Sequence, residues 1–176
     1  DGVTTWMPVY ISQTYNLGST ISILTGVVLP LFHLGCIQIA GMLHRRFFRN
    51  LMTCAGVLFG AGAFFSLILS VFPAKNVAVS VILSSLLTGC MHGVNLMLIC
   101  MLPSYFKKYG NVSFLSGILN ACVYIGSAIS AYGMAATAER SGWQTVISCW
   151  TAVAAAGMLI CLMCISSWKR FQNRNN

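Results

Sequence analysis

Five stretches of this chain, 19–43, 51–72, 77–103, 112–138 and 143–167, each run for more than twenty residues without one Asp, Glu, Lys or Arg. About 20 apolar residues carry an α-helix across the hydrocarbon of a bilayer. Inside lipid the backbone must satisfy its own hydrogen bonds, which a helix does. The pattern therefore predicts an all-α, polytopic membrane protein whose first partner is the lipid bilayer. Composition points the same way, since only 7% of residues are charged where a soluble domain carries about a quarter.

A sixth stretch, about 1–16, is half as long as a span and carries Trp6, Pro8 and Tyr10. It lacks both an initiating Met and the basic start of a signal peptide. The simplest expectation is a chain that begins partway along a helix, one helical unit over 1–176 with a tail at 168–176.

Asp1 and Glu139 are the only acids against ten Lys and Arg, a formal net charge of +8. No basic stripe is interleaved with aromatics, so no nucleic-acid partner is expected. The bases sit between spans instead. Short connections force alternate loops to opposite sides. One side collects Arg45, Arg46, Arg49, Lys107, Lys108, Lys169, Arg170 and Arg174, and the other only Lys75 and Arg140. That bias predicts a cytoplasmic C-terminus; the expected location is a plasma (inner) membrane. The sequon Asn111-Val112-Ser113 lies on the cytoplasmic side and is discounted. His44, in a basic loop, is read as solvated.

Cysteines 36, 54, 90, 100, 122, 149, 161 and 164 all fall inside apolar runs. They read as small packing side chains, Cys161-x-x-Cys164 included, and not as a disulfide framework or metal site. No Gly-rich phosphate loop, nucleophile elbow or metal-ligand set occurs, so neither an enzyme nor a cofactor is expected.

The third and sixth spans are nearly free of polar groups, which suits peripheral, lipid-facing helices. Gly56 and Gly60 in the third are spaced for close helix packing. The other spans carry polar stripes. Ser113, Ser116, Asn120, Tyr124 and Ser127 fall within an arc of about 80° at 100° per residue. Ser84, Thr88, His92 and Asn95 share a face of the fourth span, and Ser22, Thr25 and His33 one of the second, with Pro30 between them. Polar groups at membrane depth must face protein or water. Three such stripes predict helices around an aqueous cavity, with a dry packed polar seam as the other reading; the expected lining is His33, His92, Asn95, Asn120 and Tyr124, with Thr4 from the opening stretch. His33 and His92 are the only side chains well inside the spans whose ordinary pKa lies near neutral pH. Each is open to two readings, a side chain satisfied by a neighbouring helix or a site for an anion or a proton.

The opening Asp1-Gly2-Val3-Thr4-Thr5-Trp6-Met7-Pro8-Val9-Tyr10 resembles the seventh helix of major facilitator superfamily transporters. It is most similar to the organophosphate:phosphate antiporter branch, with its Trp-x-Pro-x-Tyr pattern. Gly110 to Trp143, with Gly117, Tyr124, Gly126 and Gly142-Trp143, is similar to that family's eleventh helix and the turn after it. The loop Gly41-Met42-Leu43-His44-Arg45-Arg46-Phe47-Phe48-Arg49-Asn50 is similar to the family's cytoplasmic gating loop through Gly41, Leu43, Arg46 and Arg49. Arg45 stands where that loop carries an acid and Phe48 where it carries a glycine. The resemblance implies helices seven (in part) to twelve of a two-half transporter, with a six-helix first half as missing partner. It also implies a phosphate-binding Arg just before Asp1. The implied activity is exchange of a phosphorylated sugar or glycerol phosphate for phosphate by alternating access. A carboxylate symporter for a hexuronate-like anion, or a membrane sensor of sugar phosphates, remain as alternatives.

Overall fold

The computed structural model describes residues 2–15, 19–48, 50–71 and 77–175; the side chains of 2, 4, 5, 19–31, 174 and 175 fall outside the description. All regular structure among the described residues is helical. Helix α1 spans Gly2–Tyr15, α2 Ser19–Arg46, α3 Leu51–Val71, α4 Val77–Asn95 and α5 Val112–Asn175. Three helical segments, Leu51–Val71, Val77–Tyr109 and Val112–Asn173, are long and apolar enough to cross a membrane.

Local chemistry sets where these helices start and stop. Asn50 opens α3 by accepting hydrogen bonds on Oδ1 from the backbone N–H groups of Met52 (2.9 Å) and Thr53 (3.3 Å), which have no partner inside the helix. The fourth segment runs past the expected limit of 103 by changing pitch. It widens into a π-helix at Leu96–Met101, then tightens into a 3-10 helix at Leu102–Tyr109. Pro103 accounts for the change: it has no N–H to give to the preceding turn, and its ring crowds the carbonyl four residues back. Gly110 (φ 73°) ends the segment in the left-handed region, its N–H bonded to the Lys107 carbonyl at 3.1 Å.

Helix α5 is broken by Gly142, whose φ of 77° and ψ of 170° are not helical. That combination is essentially restricted to glycine. It folds α5 into a first arm, 112–141, and a second, 143–175, which face each other across a common cavity. Trp143 secures the fold-back. Its indole N–H donates to Gln13 Oε1 at 2.9 Å, and its ring packs on Trp6 and Tyr10 with centroids 6.4 and 5.6 Å away.

Glycines let the helices approach closely. A Cβ on Gly56 would sit 3.4 Å from Cys161, and one on Gly157 only 2.7 Å from the Phe59 ring, so side chains of α3 and the second arm pack directly onto each other's glycines. Across that seam Ser66 Oγ donates to the Ile147 carbonyl (3.2 Å) and receives a bond from Thr151 Oγ1 (2.8 Å). Gly89 and Gly93 of α4 do the same against Cys36 and Ala40 of α2. Two cores result. One joins Met7, Tyr10, Ile11, Leu69, Leu87, Val146, Ile147 and Trp150 near the fold-back. The other joins Ala40, Leu51, Cys54, Ala55, Leu58, Val94, Met97, Cys161 and Trp168 toward the basic end. All eight cysteines are free.

One expectation is corrected here. His44 is buried, not solvated, at 6% exposure. It lies in the last turn of α2, three residues on from Gly41, where the helix is still packed and only Arg45 and Arg46 reach out. Burial, which disfavours the charged imidazolium, holds its pKa below the ordinary histidine value.

Candidate substrate cavity

A cavity of about 630 Å³ separates α4 from the first arm of α5 and is floored by the second arm. Leu87, Met91, His92, Val94, Asn95, Leu98 and Ile99 form the first wall. Val123, Gly126, Ile129, Ser130, Gly133, Met134 and Thr137 form the second. Cys149, Trp150, Val153 and Ala154 form the floor, with Phe59 and Val3 at the margins. The sixth span was expected to be peripheral; its first turns instead close the cavity, because the fold-back at Gly142 brings them under the first arm. The lining is apolar with a few polar groups, the usual make-up of a small-molecule site of this size.

The polar side of the wall has definite geometry. His33 of α2 is buried behind His92 of α4, and the two imidazoles stack with centroids 4.4 Å apart. Thr88 joins them. His33 Nε2 lies 2.7 Å from Thr88 Oγ1, Thr88 Oγ1 lies 2.8 Å from the Ser84 carbonyl, and His92 Nδ1 lies 3.0 Å from the Thr88 carbonyl.

Proton accounting assigns the tautomers. Carbonyls only accept, so His92 Nδ1 carries a hydrogen and donates to Thr88. Thr88 Oγ1 faces two carbonyl acceptors, Ser84 at 2.8 Å and Ser85 at 3.1 Å; with its hydroxyl proton on either of them it accepts from His33 Nε2–H. His92 Nε2 is left with its lone pair uncommitted, on a residue in the cavity wall.

The expected lining residues separate. His92 and Asn95 are in the wall, and Asn95 is exposed to the cavity. His33 stands one layer behind. Asn120 and Tyr124 lie outside this cavity, both exposed, Tyr124 at 72%. On a helical wheel the cavity face of the first arm, 123–137, lies about 100° around from the stripe that holds them. The Thr4 side chain lies outside the described residues, as does Arg49. Of the remaining loop residues, Arg46 is exposed, and Gly41 packs toward Leu96, which a Cβ would meet at 3.8 Å.

Ser130, Thr137, Cys149 and Trp150 were not anticipated. Ser130 lies on the cavity face, outside the arc of the stripe that ends at Ser127, so extending that stripe does not reach it. Trp150 brings a buried indole N–H with no acceptor among the described residues. No three His, Cys, Asp or Glu side chains converge among the described residues in a way that could hold a metal ion.

Compared with models of known protein families, with curated proteins and with solved structures, the chain finds no match in any of the three.

Proposed function

We propose that this chain is the substrate-facing half of a secondary transporter of the major facilitator type, carrying a small organic anion by alternating access. The cavity with His92 and Asn95 in its wall is the observation that supports the reading most strongly. It has the volume of a metabolite-sized ligand, lies between helices long enough to span a bilayer, and offers donors from an imidazole and an amide. The π-to-3-10 change beside it is the kind of helix irregularity that membrane transporters tolerate where backbone borders a cavity. A phosphorylated sugar or glycerol phosphate exchanged for phosphate is the substrate class that the opening Trp6-Met7-Pro8-Val9-Tyr10 favours. In this reading the anion meets the His92 imidazole, with Asn95 orienting hydroxyls. A phosphate-binding Arg ahead of Asp1 and a first six-helix half complete the site.

The deciding experiment is flux into liposomes holding the full-length protein. Uptake of labelled glycerol 3-phosphate driven by internal phosphate is expected. Uptake of a hexuronate driven only by a proton gradient indicates the symporter, and saturable binding without flux indicates the sensor; either refutes the exchange reading. His92→Gln is expected to raise the substrate concentration needed for half-maximal flux, and an unchanged value would return His92 to a packing role.

A further inference from the structure

We propose that the basic end of this bundle is a binding surface for the phosphate headgroups of anionic phospholipids. The inference rests on the chain's membrane character and not on what its cavity carries. Two segments far apart in sequence share one pattern, an aromatic, two cations and an aromatic: Phe106-Lys107-Lys108-Tyr109 and Trp168-Lys169-Arg170-Phe171.

The structure packs the two against each other through their rings. Phe106 stacks on Phe171 at 5.0 Å, Trp168 on Phe171 at 5.2 Å, and Tyr105 meets Trp168 edge-on at 5.3 Å. Tyr109 lies 6.4 Å from Phe171. Trp168 is buried, Tyr105, Phe106 and Phe171 are half-buried and Tyr109 is exposed, and around them Lys107, Lys108, Lys169 and Arg170 are all exposed. Arg45 and Arg46, exposed at the end of α2, flank the same core through Leu43 and Phe48.

Six cations therefore surround one aromatic knot. No Asp or Glu lies at this end among the described residues, since Glu139 sits beside the fold-back at the opposite end. Unbalanced positive charge this dense needs a counter-ion, and the arrangement selects which one. Aromatic rings settle at headgroup depth, and Lys and Arg stems lie along apolar surface while their heads reach the phosphates. Clusters of four to eight such cations at helix ends are the recognised requirement for anionic lipid. A bilayer also supplies the acyl chains that the exposed Leu159, Ile160, Leu162 and Met163 below the knot must cover. A soluble anion offers none of that area.

The test titrates the full-length protein in detergent with short-chain phosphatidylglycerol and with phosphatidylcholine of the same chains, reading tryptophan fluorescence. Phosphatidylglycerol is expected to bind at least about fivefold tighter, the effect of roughly one cation, with the preference shrinking in high salt. K108Q is expected to reduce it by about fivefold and K107Q/K108Q/K169Q/R170Q to abolish it, while K107R/K108R/K169R keeps it. Equal binding of both lipids by the wild type overturns the proposal without reference to any variant. So does a preference that survives the fourfold substitution. Displacement of the lipid by millimolar inorganic phosphate would instead mark a soluble-anion site and equally overturn it.

Discussion

Gly89→Ala tests the seam that builds the histidine pair. A Cβ on Gly89 would lie 2.4 Å from Cys36 Sγ and 2.8 Å from Cys36 Cβ. The thiol can rotate away, but Cβ is fixed to the α2 backbone. Carbon atoms rest at about 3.5–4.0 Å, so α2 has to retreat from α4 by about 1 Å. Overpacking of that kind costs about 1–3 kcal/mol. Such a shift also stretches the 2.7 Å bond between His33 and Thr88 beyond useful length, adding about 1 kcal/mol. The expected loss is about 2–4 kcal/mol, read by SDS-induced or thermal unfolding of the full-length protein. Cys36→Gly removes the obstructing atoms. That change alone costs about 1 kcal/mol in a helix, yet a double-mutant cycle with Gly89→Ala should show at least about 1 kcal/mol of favourable coupling. Gly60→Ala is the control, because its nearest neighbour is the flexible end of Met158 at 3.0 Å. Wild-type stability for Gly89→Ala, or no coupling in the cycle, would refute the argument.

Gly142→Ala should cost about 1–3 kcal/mol, because φ 77° with ψ 170° is a glycine conformation. Gly110→Asn, at φ 73° and ψ 2°, should be tolerated in the same unfolding assay. In a Cys-less background, Asn95→Cys should react with a water-soluble thiol reagent, whereas Ser84→Cys, at a fully buried position, should be protected; equal reactivity would contradict the placement of the cavity. For His44, burial lowers the folded-state pKa, so the unfolded chain takes up a proton that the folded protein resists. Its contribution to stability is complete above about pH 6.5 and declines as the pH falls from there through the lower folded value. His44→Leu should therefore lose less melting temperature than the wild type between about pH 8 and about pH 5; parallel curves would show that His44 is solvated after all.

Helix ends were legible because single residues decide them. Asn50 supplies a side-chain acceptor, Gly110 and Gly142 supply positive φ, and each stands between apolar runs too long to be anything but helix. The tight seam of α3 with the second arm was legible at Gly56 and Gly60. The same spacing at Gly89 and Gly93 carried the α2–α4 seam and could have been read by the same rule. Pro103 announced an irregularity but not its form, since the π turn depends on how neighbouring helices accommodate the ring.

The candidate site was harder to read, for a reason built into helical periodicity. Spacing says which residues share a face; it says nothing about what that face meets. Ser84 and Thr88 share a stripe with His92 and Asn95, yet the first two are buried, Thr88 against His33 of α2, and the last two border the cavity, because the stripe runs along the helix from a closed seam into an open gap. The first arm of α5 divides its surface three ways. Phe114, Ile118, Ile125 and Tyr132 form one exposed apolar stripe, the cavity wall a second, and Asn120 with Tyr124 a third. A polar stripe left uncovered on a membrane helix demands water or another protein segment beside it. If the proposed transporter is right, the surface around Asn120 and Tyr124 is where a first half would meet this one. The substrate would then contact His92 from one side of the first arm while the partner half closes over the other. Asn120 would in that case affect the rate of the conformational exchange more than substrate affinity, which separates its role from that of Asn95 on the same assay.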